Sequence, residues 1–546
     1  MSAPSAFPAA PAGMLAFCQQ AWGQVLAKVK RAVVFMDSAC AESLHWACGG
    51  AERLFQAGAV NVKEFSSFES GGVEQPKAVF VVSTLLKGRT VDIIHDIVSL
   101  SNFQYCVVFT AVSHTVHLQA HSAPSSAEME GFSQVVFEQF EEKLCQWMGN
   151  MNYTAEVQHA PLFLAPVSSY LFVAPAFSSF FPLMADDLIQ INSARPDKKK
   201  FASLNDVDFS SLSSELQLEI RSLVSDFNSL FESLSIREEC FAVGTLSKII
   251  AGDLANFSQA KTRRKTAPNR ASVIFVDRTL DLTGAVCHHG ENLAEKILSV
   301  LPKLPSHTSD VMVNMIELTS LQVDDASSNI IAPGCLAQPN DPAAKALWES
   351  LMNLKQKEAV MEVRRHLVEA ASRENLPIKM SMGCESSLDL TFQKAMGAVN
   401  KIFKTLQDVA KTRTNMKQFN SVHNPGSHTE QASYKPLLKR VVEEIYNPDR
   451  PDLVDIEHMS SGLTDLLKTG FSMFMKVSRP HPSDHSLVII VMIGGVTVSE
   501  AKIVKDLVVT YKPGTQVIVL STTLLTPYNI LELLFATDHL HPDIGV

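Results

Sequence analysis

The sequence predicts an α/β protein with parallel, doubly wound sheets and a mainly helical segment inserted into one of them. The prediction rests on two strand-turn-helix segments, 271–286 and 486–507, that stand far apart in the 546-residue chain. Each opens with an unbroken run of aliphatic and β-branched residues, the pattern of a strand buried on both faces. The residues between them carry helical patterns and little strand signal. We therefore predict that both strands share one sheet and that the intervening residues form an inserted helical domain.

Residues 31–112 alternate between strand and helix patterns. Strands are predicted at 31–37, 77–83 and 105–112, with helices at about 38–57 and 91–100 between them. This alternation predicts a parallel, doubly wound sheet. The sequence contains neither a GxGxxG loop after the first strand nor a GxxxxGK[ST] motif. The absence of these phosphate-binding loops argues against a nucleotide-binding enzyme.

The middle of the chain carries helical periodicity. Apolar residues recur every three or four positions over 212–234, which predicts an amphipathic helix. Asp341 is a predicted N-cap with Pro342 in the first helical position, and the helical composition continues to near Pro377. A second apolar stripe over 388–409 suits an antiparallel partner across a short connector. Together these patterns predict a long helical hairpin that projects from the body.

The last part of the sequence returns to the α/β pattern. The glycine pair at 494–495 lets the chain turn sharply off the buried strand. Thr497 and Glu500 then fit a capping box that opens a helix. A further strand is predicted at 516–520, and a final helix begins at 526–527.

Length and these patterns predict three domains. We place domain one at 28–155. Domain two is discontinuous and combines 156–300 with 480–546, and helical domain three occupies 301–479. The boundaries follow from assigning the two buried strands to one sheet.

Charge and cysteine usage narrow the function class. The formal net charge of -10 argues against nucleic-acid binding, and the short basic runs at 198–200 and 263–265 are interpreted as solvated linkers. Nine cysteines include no CxxC pair, which indicates reduced thiols in the cytoplasm.

Two segments bear on membrane association. The proline-rich stretch 1–13 is interpreted as a flexible tail and not as a signal peptide. Residues 160–185 carry no charge, but Pro166, Pro175 and Pro182 interrupt them, so two buried strands joined by a turn are favoured over a transmembrane helix. We expect membrane association only through protein partners.

Polar residues follow the first buried strand. Asp277, Arg278 and Asp281 stand at its carboxyl end, where α/β enzymes often place catalytic groups. The alternative is a structural arginine held between two carboxylates that fix the turn. The structural interpretation is favoured because no nucleophile or Gly-rich loop stands beside them.

Three further patterns, two histidine groups and a glycine pair, contain residue types found in binding or catalytic sites. Two groups offer metal ligands by residue type: His114, His117 and His121, and His288 and His289 beside Cys287. The first group lies between a strand-like run and a loop pattern, and adjacent histidines point to different sides of an element, so neither group predicts a metal site. The 494–495 glycine pair is interpreted as a tight turn and not as a phosphate cradle. With no GxSxG elbow in the sequence, we predict no cofactor and no enzymatic activity.

Three features together resemble the Sec/Munc (SM) family of syntaxin-binding regulators of SNARE-driven vesicle fusion. They are the VIFVDRTLDL segment, the helical insertion around Trp348, and IGGVTVSE followed by VIVLSTTLLTP. The family's DR-x-x-D turn falls on Asp277, Arg278 and Asp281, and its GG-x-T-x-S-E turn falls on Gly494, Gly495, Thr497, Ser499 and Glu500. The resemblance implies that both motifs are structural. The chain departs from the family at Gly284, where a proline is usual, and at Cys287, His288 and His289.

The resemblance further implies the fold and the role. The fold would be a three-domain arch in which domains one and three line a cavity for SNARE helices, with the hairpin of domain three as a template. The partners would be syntaxin-type SNAREs and a tethering complex, at secretory-pathway membranes such as the Golgi or the endoplasmic reticulum. The SNARE-binding residues are left unassigned. Two other functions stay open at this point: a non-catalytic scaffold subunit of a tethering complex, and a nucleotide-dependent α/β transferase.

Overall fold

The computed structural model describes residues 13–72, 74–121, 135–195, 198–286, 292–305, 307–313, 334–337, 339–373, 434–459 and 480–535. Several predicted features lie outside these residues: the tail at 1–12, the Cys287–His289 group, the connector at 375–387 and the second helical stripe at 388–409.

The first sheet has five strands, all parallel, in the spatial order β2-β1-β3-β4-β5. The strands are β1 (Val33–Met36), β2 (Asn61–Glu64), β3 (Lys77–Val82), β4 (Tyr105–Thr110) and β5 (Thr154–His159). The predicted strands at 31–37, 77–83 and 105–112 and their parallel arrangement are confirmed. The edge strands β2 and β5 were not predicted, because they are only partly buried and their residues lack a continuous apolar run.

Six helices accompany this sheet: α1 (Met14–Leu26), α2 (Ser38–Cys48), α3 (Ala51–Gln56), α4 (Arg89–Ser99), α5 (His114–His121) and α6 (Val135–Trp147). The prediction of a single helix over 38–57 was wrong, because the structure has two helices there, α2 and α3. Gly49 has φ 88° and ends α2 in the left-handed conformation, so a new helix starts at Ala51. Helix α1 was also missed, although Trp22 within it is fully buried.

The second sheet has seven strands in the order β12-β8-β9-β13-β14-β7-β6. They are β6 (Ala165–Pro166), β7 (Leu171–Val173), β8 (Ile236–Val243), β9 (Asn269–Asp277), β12 (Glu457–Met459), β13 (Leu487–Ile493) and β14 (Gln516–Ser521). The outer pairs β12-β8 and β6-β7 are antiparallel and the inner pairs are parallel. A separate antiparallel pair joins β10 (Met312–Val313) to β11 (Gly334–Cys335).

The two strands on which the fold prediction rested are neighbours in this sheet. Strand β9 pairs with β13 in parallel, with Ile274 opposite Ile490. The predicted sharing of one sheet is confirmed, and so is the buried β6-β7 strand pair within 160–185. Strand β8 was not predicted, because charged residues interrupt its first half.

The remaining helices of the described residues follow the first sheet in the chain. Along the chain they are α7 (Ala185–Ser193), α8 (Ser214–Ser233), α9 (Thr245–Asn256), α10 (Lys261–Thr266), α11 (Thr283–Val286), α12 (Leu293–Val300), α13 (Pro342–Asn353), α14 (Gln356–Arg373), α15 (Leu437–Ile445), α16 (Val498–Tyr511) and α17 (Pro527–Phe535). Helices α8, α16 and α17 confirm the corresponding predictions.

The continuous helix predicted from Asp341 to near Pro377 was wrong in one respect. Asp341 is the N-cap, as expected, but the helix breaks at Leu354, whose ψ of 158° is extended. The break is held by an antiparallel bridge between Lys355 and Asn292, and the Asn292 side chain also donates to the Met352 carbonyl at 2.5 Å. The interruption depends on a distant residue, so the local sequence did not reveal it.

Two large parts of the core lie on the two faces of the second sheet, and a third fills the outer face of the first sheet. One face carries Phe275 and Ile489 and packs with α8, α1 and the first sheet in a continuous cluster. The other face carries Ile274 and Ile490 and packs with α13 and α15 of the inserted region. The second sheet therefore packs against the first sheet on one face and against the inserted region on the other. No helix in the described part of the chain combines the length and apolarity that crossing a bilayer requires.

Candidate functional site

The two sequence motifs meet at the carboxyl ends of β9 and β13. These strands pair in parallel, and Asp277 lies opposite Ile493, so the turns that follow both strands share one edge of the sheet. Arg278 and Glu500 are each 1% exposed. We call Arg278, Asp281 and Glu500, with the capping residue Thr497, the buried ion-pair node.

Arg278 is bound by the second motif. Its Nη1 atom donates to both carboxylate oxygens of Glu500, at 3.0 and 2.8 Å. Its Nη2 atom donates to the backbone carbonyl of Asp281, and the Asp281 carboxylate lies 3.7 Å away. The expectation that Arg278 lies between Asp277 and Asp281 was therefore wrong for Asp277. The second carboxylate comes from a residue 222 positions later in the chain.

Asp277 has a different partner. Its carboxylate accepts hydrogen bonds from the Leu246 and Ser247 amides, both at 2.9 Å, and from the Ser247 hydroxyl at 2.7 Å. These bonds cap the amino end of α9. Burial raises the pKa of Asp277 to about 6, although the three hydrogen bonds oppose the shift.

Asp281 connects the node to the inserted region. Its Oδ1 atom accepts from the Gly284 amide at 2.7 Å and from the Tyr434 hydroxyl at 2.6 Å. Its Oδ2 atom accepts from the Leu437 amide at 2.7 Å, at the start of α15. A Cβ on Gly284 would lie 2.5 Å from Asp281 Oδ2, which explains a glycine at this position. The carboxylate therefore ties the turn after β9 to the start of α15 within the inserted region.

The second motif is a capped turn. Thr497 Oγ1 accepts from the Glu500 amide at 3.1 Å, and Glu500 Oε2 accepts from the Thr497 amide at 3.1 Å, so the expected capping box is present. Gly494 and Gly495 have φ values of 95° and 107°. A Cβ on Gly495 would lie 2.4 Å from Leu525 Cγ. The Gly494 amide donates to Thr522 Oγ1 at 3.0 Å, so this amide is used within the fold and not held open for a phosphate.

Glu295 is a further buried carboxylate close to the node. Its carboxylate accepts from the Ser499 amide at 3.1 Å and is 8% exposed. Burial raises its pKa to about 7, and the nearby negative charge of Glu500 contributes to the rise. Neither Glu295 nor Tyr434 was singled out from the sequence, because an isolated Glu or Tyr carries no motif.

The histidines of α5 lie apart from the node and serve packing. His117 is fully buried, its Nε2 accepts from the Leu86 amide at 3.0 Å, and its Nδ1 lies 3.0 Å from the Ser113 carbonyl. Burial lowers the pKa of His117 to about 4, so the ring is neutral at physiological pH. His114 packs edge-on against Phe137, and His121 Nδ1 bonds the His117 carbonyl. Both ring nitrogens of His117 are therefore used in contacts within the fold.

A second polar cluster joins α2 to the inserted region and was not predicted. The Glu42 carboxylate accepts from the amides of Thr308 and Ser309, at 3.0 and 2.9 Å. The Trp46 indole donates to the Ser309 hydroxyl at 2.7 Å and packs against Trp348 with ring centres 5.5 Å apart. The tryptophan pair also borders a cavity of about 410 Å³. The sequence signal for this cluster is limited to Trp46 and Trp348, because tryptophan is usually buried in folded proteins.

The architecture defines the structural class. The SM protein Vps45 in complex with the Qa SNARE Tlg2 matches with a TM-score of 0.54 at 12% identity, covering 97% of this chain and 99% of that one. Unc18 in the Unc18–syntaxin 1 complex of Monosiga brevicollis matches with a TM-score of 0.52 at 11% identity, covering 95% and 98%. The expected SM-type three-domain arch fold is thereby confirmed.

Sequence comparison gives the family. Residues 331–533 match the model of the Sec1 family. Sec1 family domain-containing protein 2 of Homo sapiens is 53% identical over 680 aligned positions, which cover 98% of this chain and 99% of that protein. The chain belongs to the Sec1 family.

Proposed function

We propose that this protein regulates intracellular vesicle trafficking by binding a syntaxin-type SNARE, without catalysing a reaction. The observation that carries the proposal is membership of the Sec1 family together with a fold shared with Vps45 and Unc18, whose structures are complexes with a Qa SNARE and with syntaxin 1. The motif residues support a binding role, since the carboxylates and the Nη atoms of the buried ion-pair node hold strands, turns and helices together.

The finer mechanism is part of the same proposal. The protein would hold SNARE helices in register before they zipper, which lowers the ordering entropy of assembly and promotes or proofreads it. The helical hairpin predicted within 341–409 would present the template surface. Attachment to secretory-pathway membranes, including Golgi or endoplasmic reticulum, would come through the SNARE and a tethering complex.

The domain division belongs to this proposal too. We propose that 28–155, the discontinuous pair 156–300 and 480–546, and 301–479 act as three units, with the first and third forming the partner-binding cavity. The node would act structurally, because Asp281 binds the first residue of α15 and so holds this helix of the insertion against the turn after β9.

The test is direct binding by the full chain. Immobilised protein is offered purified cytoplasmic regions of Qa-type SNAREs, with R-type SNAREs as matched controls. We expect saturable capture of at least one Qa SNARE and none of the R-type controls. Failure of every Qa SNARE to bind a chain that still melts cooperatively would overturn the proposal. Recovery of tethering subunits without any SNARE would favour the scaffold function instead.

A further inference from the structure

Side chains that ligate metals converge where α2 meets the inserted region. Donor atoms of His45, Asp310 and Cys335 all lie within 4.8 Å of one another. His45 Nε2 is 3.1 Å from Asp310 Oδ2. Asp310 is 0% exposed and His45 is 8% exposed, while Cys335 is half-buried. The three donors come from three segments that are distant in sequence, so tertiary folding assembles them.

A second histidine, His307, stands beside this group but outside the set whose donor atoms all lie within 4.8 Å of one another. The ring of His307 lies with its centre 5.2 Å from the centre of the His45 ring. Its Nδ1 atom is buried and has no hydrogen-bond partner among the described residues. A buried ring nitrogen of this kind calls for a ligand.

We propose that His45, Asp310 and Cys335 bind one Zn²⁺ ion, and that the neighbouring His307 ring moves toward the ion to complete the set. Two imidazole nitrogens, one thiolate and one carboxylate form a four-donor set of the kind that Zn²⁺ accepts in tetrahedral geometry. The sulfur and nitrogen donors disfavour Mg²⁺ and Ca²⁺, which take oxygen ligands. One thiolate and one carboxylate also balance the two charges of the ion, so the buried complex has no net charge.

The neighbouring contacts orient these donors. Asp310 Oδ1 accepts from the Val311 amide at 2.7 Å, and Oδ2 lies 3.2 Å from the Ala337 amide, so the carboxylate is held in place. In metal sites, hydrogen bonds of this kind orient the side chains that bind the ion directly. A simple His45–Asp310 pair would explain the 3.1 Å contact. The Cys335 thiol donates to the Ala337 carbonyl at 3.2 Å, so its sulfur already faces the segment that holds the Asp310 carboxylate. The His45–Asp310 pair does not account for the buried Nδ1 atom of His307.

Binding must release a proton. Cysteine ligates Zn²⁺ as the thiolate, so the thiol must lose its proton when the ion binds. The step is Cys–SH + Zn²⁺ → Cys–S–Zn⁺ + H⁺, in which the S–H bond breaks, an S–Zn bond forms and the proton goes to solvent. Affinity for Zn²⁺ should therefore fall as the pH is lowered. The ion would fasten residues 307–313 and 334–337 to α2, a role independent of SNARE binding.

Cobalt provides a spectroscopic test with the full chain. After treatment with a chelator and its removal, the protein is titrated with Co²⁺ and then with Zn²⁺. We expect a thiolate-to-cobalt charge-transfer band that saturates at about one equivalent and is bleached by Zn²⁺. In Cys335→Ser the band should disappear and Zn²⁺ affinity should fall by at least about tenfold. Cys48→Ser is the matched control, since Cys48 lies on α2 with His45 but outside the cluster, and it should behave as the wild type.

A second variant helps to distinguish the loss of a metal ligand from a failure to fold. His307→Gln removes a donor without touching the thiol, and we expect weaker Zn²⁺ binding with the charge-transfer band retained but shifted. The melting temperature of each metal-free variant, compared with the metal-free wild type, shows whether it folds. The absence of a band in the wild type, or a band of full strength in Cys335→Ser, would overturn the proposal. So would an equal rise in melting temperature on adding Zn²⁺ to wild type and Cys335→Ser.

Discussion

Arg278 carries the only positive charge of the buried ion-pair node, and its removal has a predictable cost. In Arg278→Ala the Glu500 and Asp281 carboxylates stay buried without their cation. Loss of one partner from a buried pair typically costs about 3 to 5 kcal/mol. We expect a comparable loss in the free energy of unfolding, measured by urea titration.

Arg365→Ala is the matched control for this prediction. Arg365 is also paired with two carboxylates, those of Glu362 and Glu369, but its side chain is 52% exposed. Exposed pairs contribute about 0 to 1 kcal/mol. Equal losses in the two arginine variants would contradict a special role for the node.

Glu295 predicts a pH dependence of stability. Its pKa is about 7 in the folded protein and near 4.5 when unfolded, so the folded state holds the proton more tightly. The stability that this group contributes is full below pH 4.5, and it is lost as the pH rises through about 7. At about 1.4 kcal/mol per pKa unit, the loss is on the order of 3 kcal/mol.

Glu295→Gln isolates this effect, because the amide oxygen can still accept from Ser499. We expect the stability of the variant relative to wild type to increase between pH 5 and pH 8, as measured by thermal melting at each pH. A difference that stays constant across this range would show that Glu295 titrates normally.

At the scale of elements, the turn after β13 requires glycine for two reasons. Gly495 combines a φ of 107° with a side-chain position that Leu525 occupies. Gly495→Ala should therefore destabilise the protein by at least about 1 to 3 kcal/mol, measured by chemical denaturation. Gly23→Ala is the opposite control, because this exposed helical position in α1 has open space, and alanine should stabilise it by about 0.5 to 1 kcal/mol. Changes of the same sign would contradict the argument.

The hairpin predicted within 341–409 is the element from which we expect partner capture. Replacing its connector, 375–387, by a Gly/Ser linker of equal length should keep the melting temperature and weaken SNARE binding, since loops on a scaffold provide contacts more than core stability. Pull-down of syntaxins and tethering subunits measures the effect. The same replacement at 198–200, a predicted linker, serves as the control. Wild-type recovery by the connector variant would shift the binding function to domain one.

At the scale of the whole molecule, the second sheet should open as one unit, although β9 and β13 are more than 200 positions apart in the sequence. Ile490→Val removes one buried methylene beside Ile274 and should lower stability by about 1 kcal/mol. Hydrogen exchange with mass spectrometry should show the protection of 269–277 and 487–493 falling by the same amount. A fall confined to 487–493 would mean that the two strands do not open together.

The sequence by itself determined the parallel sheets, the shared position of β9 and β13, the α8 helix, and the capping box of Thr497 and Glu500. These features depend on apolar runs, helical periodicity and cap chemistry, which neighbouring residues encode. The edge strands, the break at Gly49 and helix α1 were less visible, because partial burial and mixed composition weaken a periodic pattern.

Only the tertiary structure decided which charges meet. Arg278 pairs with Glu500, Asp277 caps α9, Asp281 holds the start of α15, and His45 approaches Asp310 and Cys335. Each of these contacts joins segments that are far apart in the chain, and no local pattern encodes such a partner. Burial then sets the strength of each interaction, because removing water is what makes an ion pair or an unpaired nitrogen costly.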